Sequence, residues 1–169
     1  DAAGKLGGQL TPNDNGFVGR LKADEWKVPD HDWVRLTTFE AEGMLGGAQM
    51  RLDRFDARSF DGVISGTAVL GWARGAEFSA EVELKGVGLG SLLPAVRKDL
   101  LARGDLNGTF AISGNADSFA GIGGVASVQG KFEITRGVLA NFDFAEAIRS
   151  LTPGATRGGQ TRFDRATGT

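Results

Sequence analysis

At 169 residues the chain is long enough for one domain with a core and too short for two large ones. Its 19 basic and 21 acidic residues leave a net charge of -2 without any block of like charge, which argues against a nucleic-acid partner and against a polybasic membrane-surface patch. Cysteine is absent, so disulfides and thiolate chemistry are excluded. Glycine supplies 27 residues, placed between and within short apolar runs, as turns and close backbone approaches require. No stretch approaches the ~20 apolar residues of a membrane-spanning helix. The start at Asp1 without Met, the Gly-rich opening and the polar run Thr161 to Thr169 are those expected of a piece of a larger protein, with both ends frayed.

Taken in order, Asp1 to Thr11 is ambiguous, with a strand near Gln9 and Leu10 set apart by the turn signal Pro12-Asn-Asp-Asn-Gly16. Strands are predicted over Phe17 to Val28, Trp33 to Glu42, Ala48 to Phe60 and Val63 to Trp72. In the third of these a bulge near Arg54 is needed to bring Met50, Leu52 and Phe55 into register. Ala76 to Lys85 is the clearest strand, because Phe78, Ala80, Val82 and Leu84 alternate with Glu77, Ser79, Glu81, Glu83 and Lys85. That period of two leaves one face oily and one wet. Ser91 to Arg103 reads as a helix with Ser91 as N-cap, Pro94 in the first turn and Gly104 as its stop. Leu106, Phe110 and Ile112 then alternate with Asp105, Asn107 and Thr109 in another strand. A short helix over Ser118 to Val125 is followed by a strand, Ser127 to Thr135, carrying Val128, Phe132 and Ile134. A turn at Arg136-Gly137 leads to a short strand, Val138 to Ala140. Asp143 and Glu146 form a capping box for a last helix, Phe144 to Leu151.

The residues give little chemistry. Gly86, Gly88 and Gly90 lie where a dinucleotide fingerprint would, but Ser91 replaces its third glycine and the next strand alternates instead of being oily on both faces. His31 is the only histidine and cannot assemble a zinc site. Asn13-Asp-Asn-Gly16 is similar to a calcium loop without its spaced carboxylates. Asn107-Gly-Thr109 matches a glycosylation acceptor in mid-strand. No nucleophile–base set is present, and Glu81 and Glu83 share the wet face of one strand and flank no pocket. No cofactor, metal or catalytic residue is expected, and an enzyme is disfavoured. The aromatic inventory, 11 Phe and three Trp with no Tyr, supplies apolar area without hydroxyls to satisfy. Phe78, Phe110 and Phe132 fall on oily faces of separate strands, as an ordinary core or an apolar trough for acyl chains would require.

The C-terminal part resembles the AsmA-like proteins of the Gram-negative envelope. The resemblance rests on Val82-Glu-Leu-Lys-Gly-Val-Gly-Leu-Gly-Ser-Leu-Leu-Pro, Arg103-Gly-Asp-Leu-Asn-Gly-Thr-Phe, and Gly130-Lys-Phe-Glu-Ile-Thr-Arg-Gly-Val-Leu-Ala-Asn-Phe-Asp-Phe. It continues through Gly158-Gly-Gln-Thr-Arg-Phe-Asp-Arg-Ala-Thr-Gly-Thr, covering about Gly62 to Thr169. It implies a large periplasmic protein held to the inner membrane by an N-terminal helix outside this chain. It further implies a long curled antiparallel sheet with an apolar inner face, related to bridge-like lipid carriers, and roles in phospholipid transport and outer-membrane assembly.

Residues and resemblance together give one β-rich domain over residues 1–169. Its expected fold is mainly β with a few short helices: a curled antiparallel sheet, half-barrel or taco-like, with an apolar concave face and helices at its ends or open side. The leading functional expectation is a non-enzymatic lipid-handling module. Phe78, Val82, Leu84, Leu106, Phe110, Ile112, Phe132 and Ile134 would line the groove. Its partners would be phospholipid or other acyl chains, the remainder of the same chain, and envelope assembly proteins. The alternative is a structural or assembly module that works through its sheet edges.

Overall fold

A computed structural model describes residues 4–27, 34–96, 102–117, 125–140 and 160–169. They contain nine strands: β1 (Lys5–Asn13), β2 (Gly16–Lys27), β3 (Arg35–Gly46), β4 (Gln49–Ser59), β5 (Gly62–Gly71), β6 (Ala76–Gly88), β7 (Ala102–Ala116), β8 (Ser127–Ala140) and β9 (Gln160–Gly168). A helix, α1 (Leu89–Val96), is inserted between β6 and β7. The strands form one sheet in the order of the sequence, every neighbouring pair antiparallel, with β1 and β9 as its open edges. The sheet does not close into a barrel.

Period-two alternation becomes a two-faced sheet because the register aligns like with like. One row across the strands runs Gly8, Leu21, Ala41, Phe55, Gly66, Val82, Phe110 and Gly130. The adjacent row, on the opposite face, runs Lys22, Glu40, Asp56, Ser65, Glu83, Thr109 and Lys131. A slip of one residue at any pairing would set charge against grease, so each pairing reinforces the register of the next.

Register shifts at Glu42/Gly43, Leu52/Phe55, Leu84/Val87 and Arg103/Asp105 interrupt this regularity. The Leu52/Phe55 shift realises the bulge expected near Arg54 and returns Phe55 to the apolar face, opposite Gly66. At the third shift Gly86 takes a φ of 63° and donates its N–H to Asn107 Oδ1 at 2.8 Å. The extra residue there brings Val87 back to the apolar side, opposite Leu106. Asn107 thus seals a bulge with its side chain.

Burial is uneven. The buried apolar residues are mostly alanines, Ala23, Ala41, Ala57, Ala76 and Ala80, with Leu36. Among the described residues the one cluster of larger buried side chains is Val87, Leu89 and Leu106, against which Phe60, Ile64, Leu84, Leu92, Leu93, Phe132 and Ile134 pack. Leu89, Leu92 and Leu93 come from α1, so the helix covers one end of the apolar face over β6, β7 and β8. The turn Phe60-Asp61, with φ of 50° and 64°, braces this corner. Phe60 O accepts from Gly88 N–H at 2.7 Å, and Ser91 Oγ donates to Asp61 Oδ2.

Several expectations are corrected. Helix α1 starts at Leu89, ahead of Ser91, and Ala102 and Arg103 belong to β7, so the expected helix to Arg103 is too long. Gly104, expected to stop that helix, lies inside β7 with a φ of 136° at a register shift. Gly43 lies within β3, where a boundary was expected. Arg136 and Gly137 do not end a strand: β8 runs through them to Ala140, accommodating Arg136 at a φ of 54°. Residues from Gln160 to Gly168, expected to fray, pair with β8 along their length, and β1 begins at Lys5. The strand–helix–strand at Gly86 to Leu106 joins antiparallel strands, unlike the parallel crossover of a dinucleotide fold. His31, the helix expected at Phe144 to Leu151, and all but Val125 of the helix expected at Ser118 to Val125 lie outside the described residues.

Candidate functional site

All eight residues expected to line a groove lie on the same face. Val82 stands opposite Phe110, and Leu84 opposite Gly108, whose other neighbour is Phe132. Leu106 is flanked by Val87 and Ile134, Ile112 by Ala80 and Val128, and Phe78 by Leu70 and Gly114. They divide into two groups. Leu84, Leu106, Phe132 and Ile134 belong to the cluster beneath α1, with Leu106 only 8% exposed. Phe78, Val82, Phe110 and Ile112 lie beyond that cluster and are half-buried.

The same face continues across β1 to β5 through residues that the expected groove lining left out. Leu6 and Leu10 on β1, Phe17 and Leu21 on β2, Phe39 and Leu45 on β3, Met50 and Leu52 on β4, and Ile64 and Leu70 on β5 occupy it. Their period of two was the available signal, diluted by glycines and by the bulge in β4. Along the row, large side chains lie over neighbouring glycines. A Cβ on Gly130 would meet the Phe110 ring, one on Gly168 the Phe132 ring, and one on Gly19 the Leu10 side chain. Glycine there leaves room for a ring to lie flat across the adjacent strand.

Opposite, the wet face is knit by exposed ion pairs. Arg20 Nε meets Glu42 Oε1 at 3.0 Å and Lys22 Nζ meets Glu40 Oε1 at 2.7 Å, each directly across β2 and β3. The hydrogen bond that Lys22 donates to Glu40, and then the charge of that carboxylate, raises the Lys22 pKa above the ordinary lysine value. Asp56 does the same for Arg54, first through its hydrogen bond at 2.6 Å and then through its charge. Arg136 pairs with Asp105 and Arg165 with Glu133. These pairs keep the face wet and contribute little stability each.

Two adjoining open hollows, of about 810 and 710 Å³, lie over β5 to β9. The first has Leu84, Gly108, Phe132 and Gly168 as one row, flanked by Glu83, Thr109 and Lys131 on one side and by Lys85, Asn107, Glu133 and Thr167 on the other. The apolar rows two residues away, Val82 with Phe110 and Val87 with Ile134, do not line it, so its walls are polar side chains and it opens on the wet face. A twisted sheet is saddle-shaped, and each face is hollow along one diagonal.

No group of His, Cys, Asp and Glu among the described residues is arranged to hold a metal ion. No helix among them is long and apolar enough to cross a membrane. The chain matches no protein-family model, no curated protein and no solved structure.

Proposed function

We propose that the apolar sheet face carries acyl chains, and that the chain is a non-enzymatic, AsmA-like module of phospholipid transport and outer-membrane assembly. It would work in the periplasm, attached to the inner membrane through a segment outside this chain. One observation carries the reading: an apolar surface running from β1 to β8 keeps its larger side chains half-buried or exposed outside the α1 corner, with Phe78, Val82, Phe110 and Ile112 at its centre. Faces of this size on soluble proteins mark partner or ligand surfaces. Burying about ten methylenes at ~0.8 kcal/mol each offers roughly 8 kcal/mol before ordering costs. A lining of Phe and aliphatic groups without polar anchors suits a ligand that slides.

The groove would be concave on the apolar side. Support comes from Gly108, where a Cβ would lie 2.6 Å from Lys131 O, and from Gly130, where it would run into Thr109 O. Such close approaches are what a sheet curled toward that side would give.

Native mass spectrometry of the purified chain should find co-purifying phospholipid, and a fluorescent fatty acid should bind. Phe110→Asp should abolish that binding while far-UV circular dichroism stays unchanged, since Phe110 lies outside the buried cluster. Binding that survives Phe110→Asp with the fold intact would falsify the acyl-chain reading. The scaffold alternative draws support from β1, an edge strand exposed along its whole length.

A further inference from the structure

The two edges of the sheet are protected differently. Edge strand β9 carries Arg162, Asp164 and Arg165 within nine residues, the kind of charge that deters a further strand. Strand β1 has one charged residue, Lys5, no register shift against β2, and no buried position. Long, flat, weakly charged edges are the ones that accept another strand.

The hydrogen-bonding phase of β1 follows from its hairpin. Asn13 and Gly16 close a two-residue turn, and in such hairpins the closing pair exchanges its hydrogen bonds. Counting back, the odd residues of β1 bond to β2, whereas Leu6, Gly8 and Leu10 point N–H and C=O out of the edge. Pro12 falls on the outward set, where its missing N–H leaves the β2 ladder intact.

We propose that β1 pairs antiparallel with β1 of a second copy about a two-fold axis through Gly8. In that register Gly8 faces Gly8, and Leu6 of each copy faces Leu10 of the other on the apolar side. The outward donors and acceptors of all three positions are met, and Gly4 N–H reaches the carbonyl of Pro12. The two Lys5 residues end up about 20 Å apart and do not repel. Registers shifted toward the turn place Pro12 opposite Leu6 or Gly8 and lose bonds, and registers shifted the other way set Leu10 opposite Gly4, outside β1. An axis normal to the sheet keeps both apolar faces on one side, so the surface is doubled without being sealed. A joint of one strand per copy is small, and the dimer is expected in the micromolar range. This inference is independent of what the apolar face carries.

Sedimentation velocity and native mass spectrometry of the purified chain should show a monomer–dimer equilibrium. Gly8→Pro removes only an outward N–H and should raise the dissociation constant about tenfold or more, with circular dichroism unchanged. Gly8→Cys gives a second readout in a chain without cysteine. Its new Cβ meets the flexible end of Leu21 at 2.7 Å and Arg20 O at 3.2 Å, and the paired Cα atoms would be ~5.5 Å apart. Mild oxidation should then trap a disulfide-linked dimer, whereas Arg162→Cys on β9 should stay monomeric. A chain monomeric throughout the micromolar range, equal cross-linking at both edges, or an open ladder of higher oligomers overturns the proposal.

Discussion

At the α1 end of the sheet Val87 is 1% exposed and Leu106 8%, whereas at the β1 end Leu6 and Leu10 are 53% and 56% exposed. Both ends display the same alternation, and the same side of the sheet is apolar at each. The difference is what lies on top: three leucines of α1 cover one end, and among the described residues nothing covers the other. Pattern sets which way side chains point, and a second layer decides how much that orientation stabilises. The covered end buries the larger side chains and so carries more of the stability than the open one.

Leu106→Ala should test this difference most severely, destabilising by about 2–4 kcal/mol in urea unfolding because it opens a cavity under α1. A value as small as a surface substitution gives would mean α1 does not hold the sheet. Next comes Gly130→Val, whose branched side chain would collide with Thr109 O and the Phe110 ring; a loss of about 1–3 kcal/mol is expected. Gly7→Ala, pointing into open space on the wet face, should be neutral or gain a few tenths of a kcal/mol, and the contrast measures how crowded the apolar side is. Leu10→Ala should change stability by no more than about 0.5 kcal/mol. A larger effect in dilute solution would show that the β1 end is covered too.

Much of the sheet was legible because period two survives in single strands. β6, the middle of β7 and the first part of β8 read correctly from Phe78 to Leu84, Leu106 to Ile112 and Val128 to Ile134. What escaped were places where backbone geometry departs from regular pleating. Arg136 at positive φ and Gly104 look like punctuation in sequence, yet they face each other across one bulge between two continuing strands. Val87 was missed for the same reason, since the extra residue at Gly86 changes which parity faces inward. β1 was read only near Gln9 and Leu10, and β9 was overlooked, because glycine, proline and charge weaken local strand preference, and pairing with β2 and β8 overrides that weakness. Of the candidate lining, the shared face was readable, whereas the division between residues under α1 and residues beyond it was not. That division depends on where the helix lands.

Because every strand pairs only with the strands before and after it in the chain, the molecule is close to one-dimensional in its energetics. β1 to β6 are joined by short connections, whereas longer ones lead into β7, β8 and β9, so the contacts of the first six strands are local for an all-β protein and those hairpins should close quickly. A tether pulling at either edge would peel strands off singly, each step breaking one ladder and leaving the rest intact. By the same logic, hairpins could be added or removed at an edge without rerouting any other part of the chain.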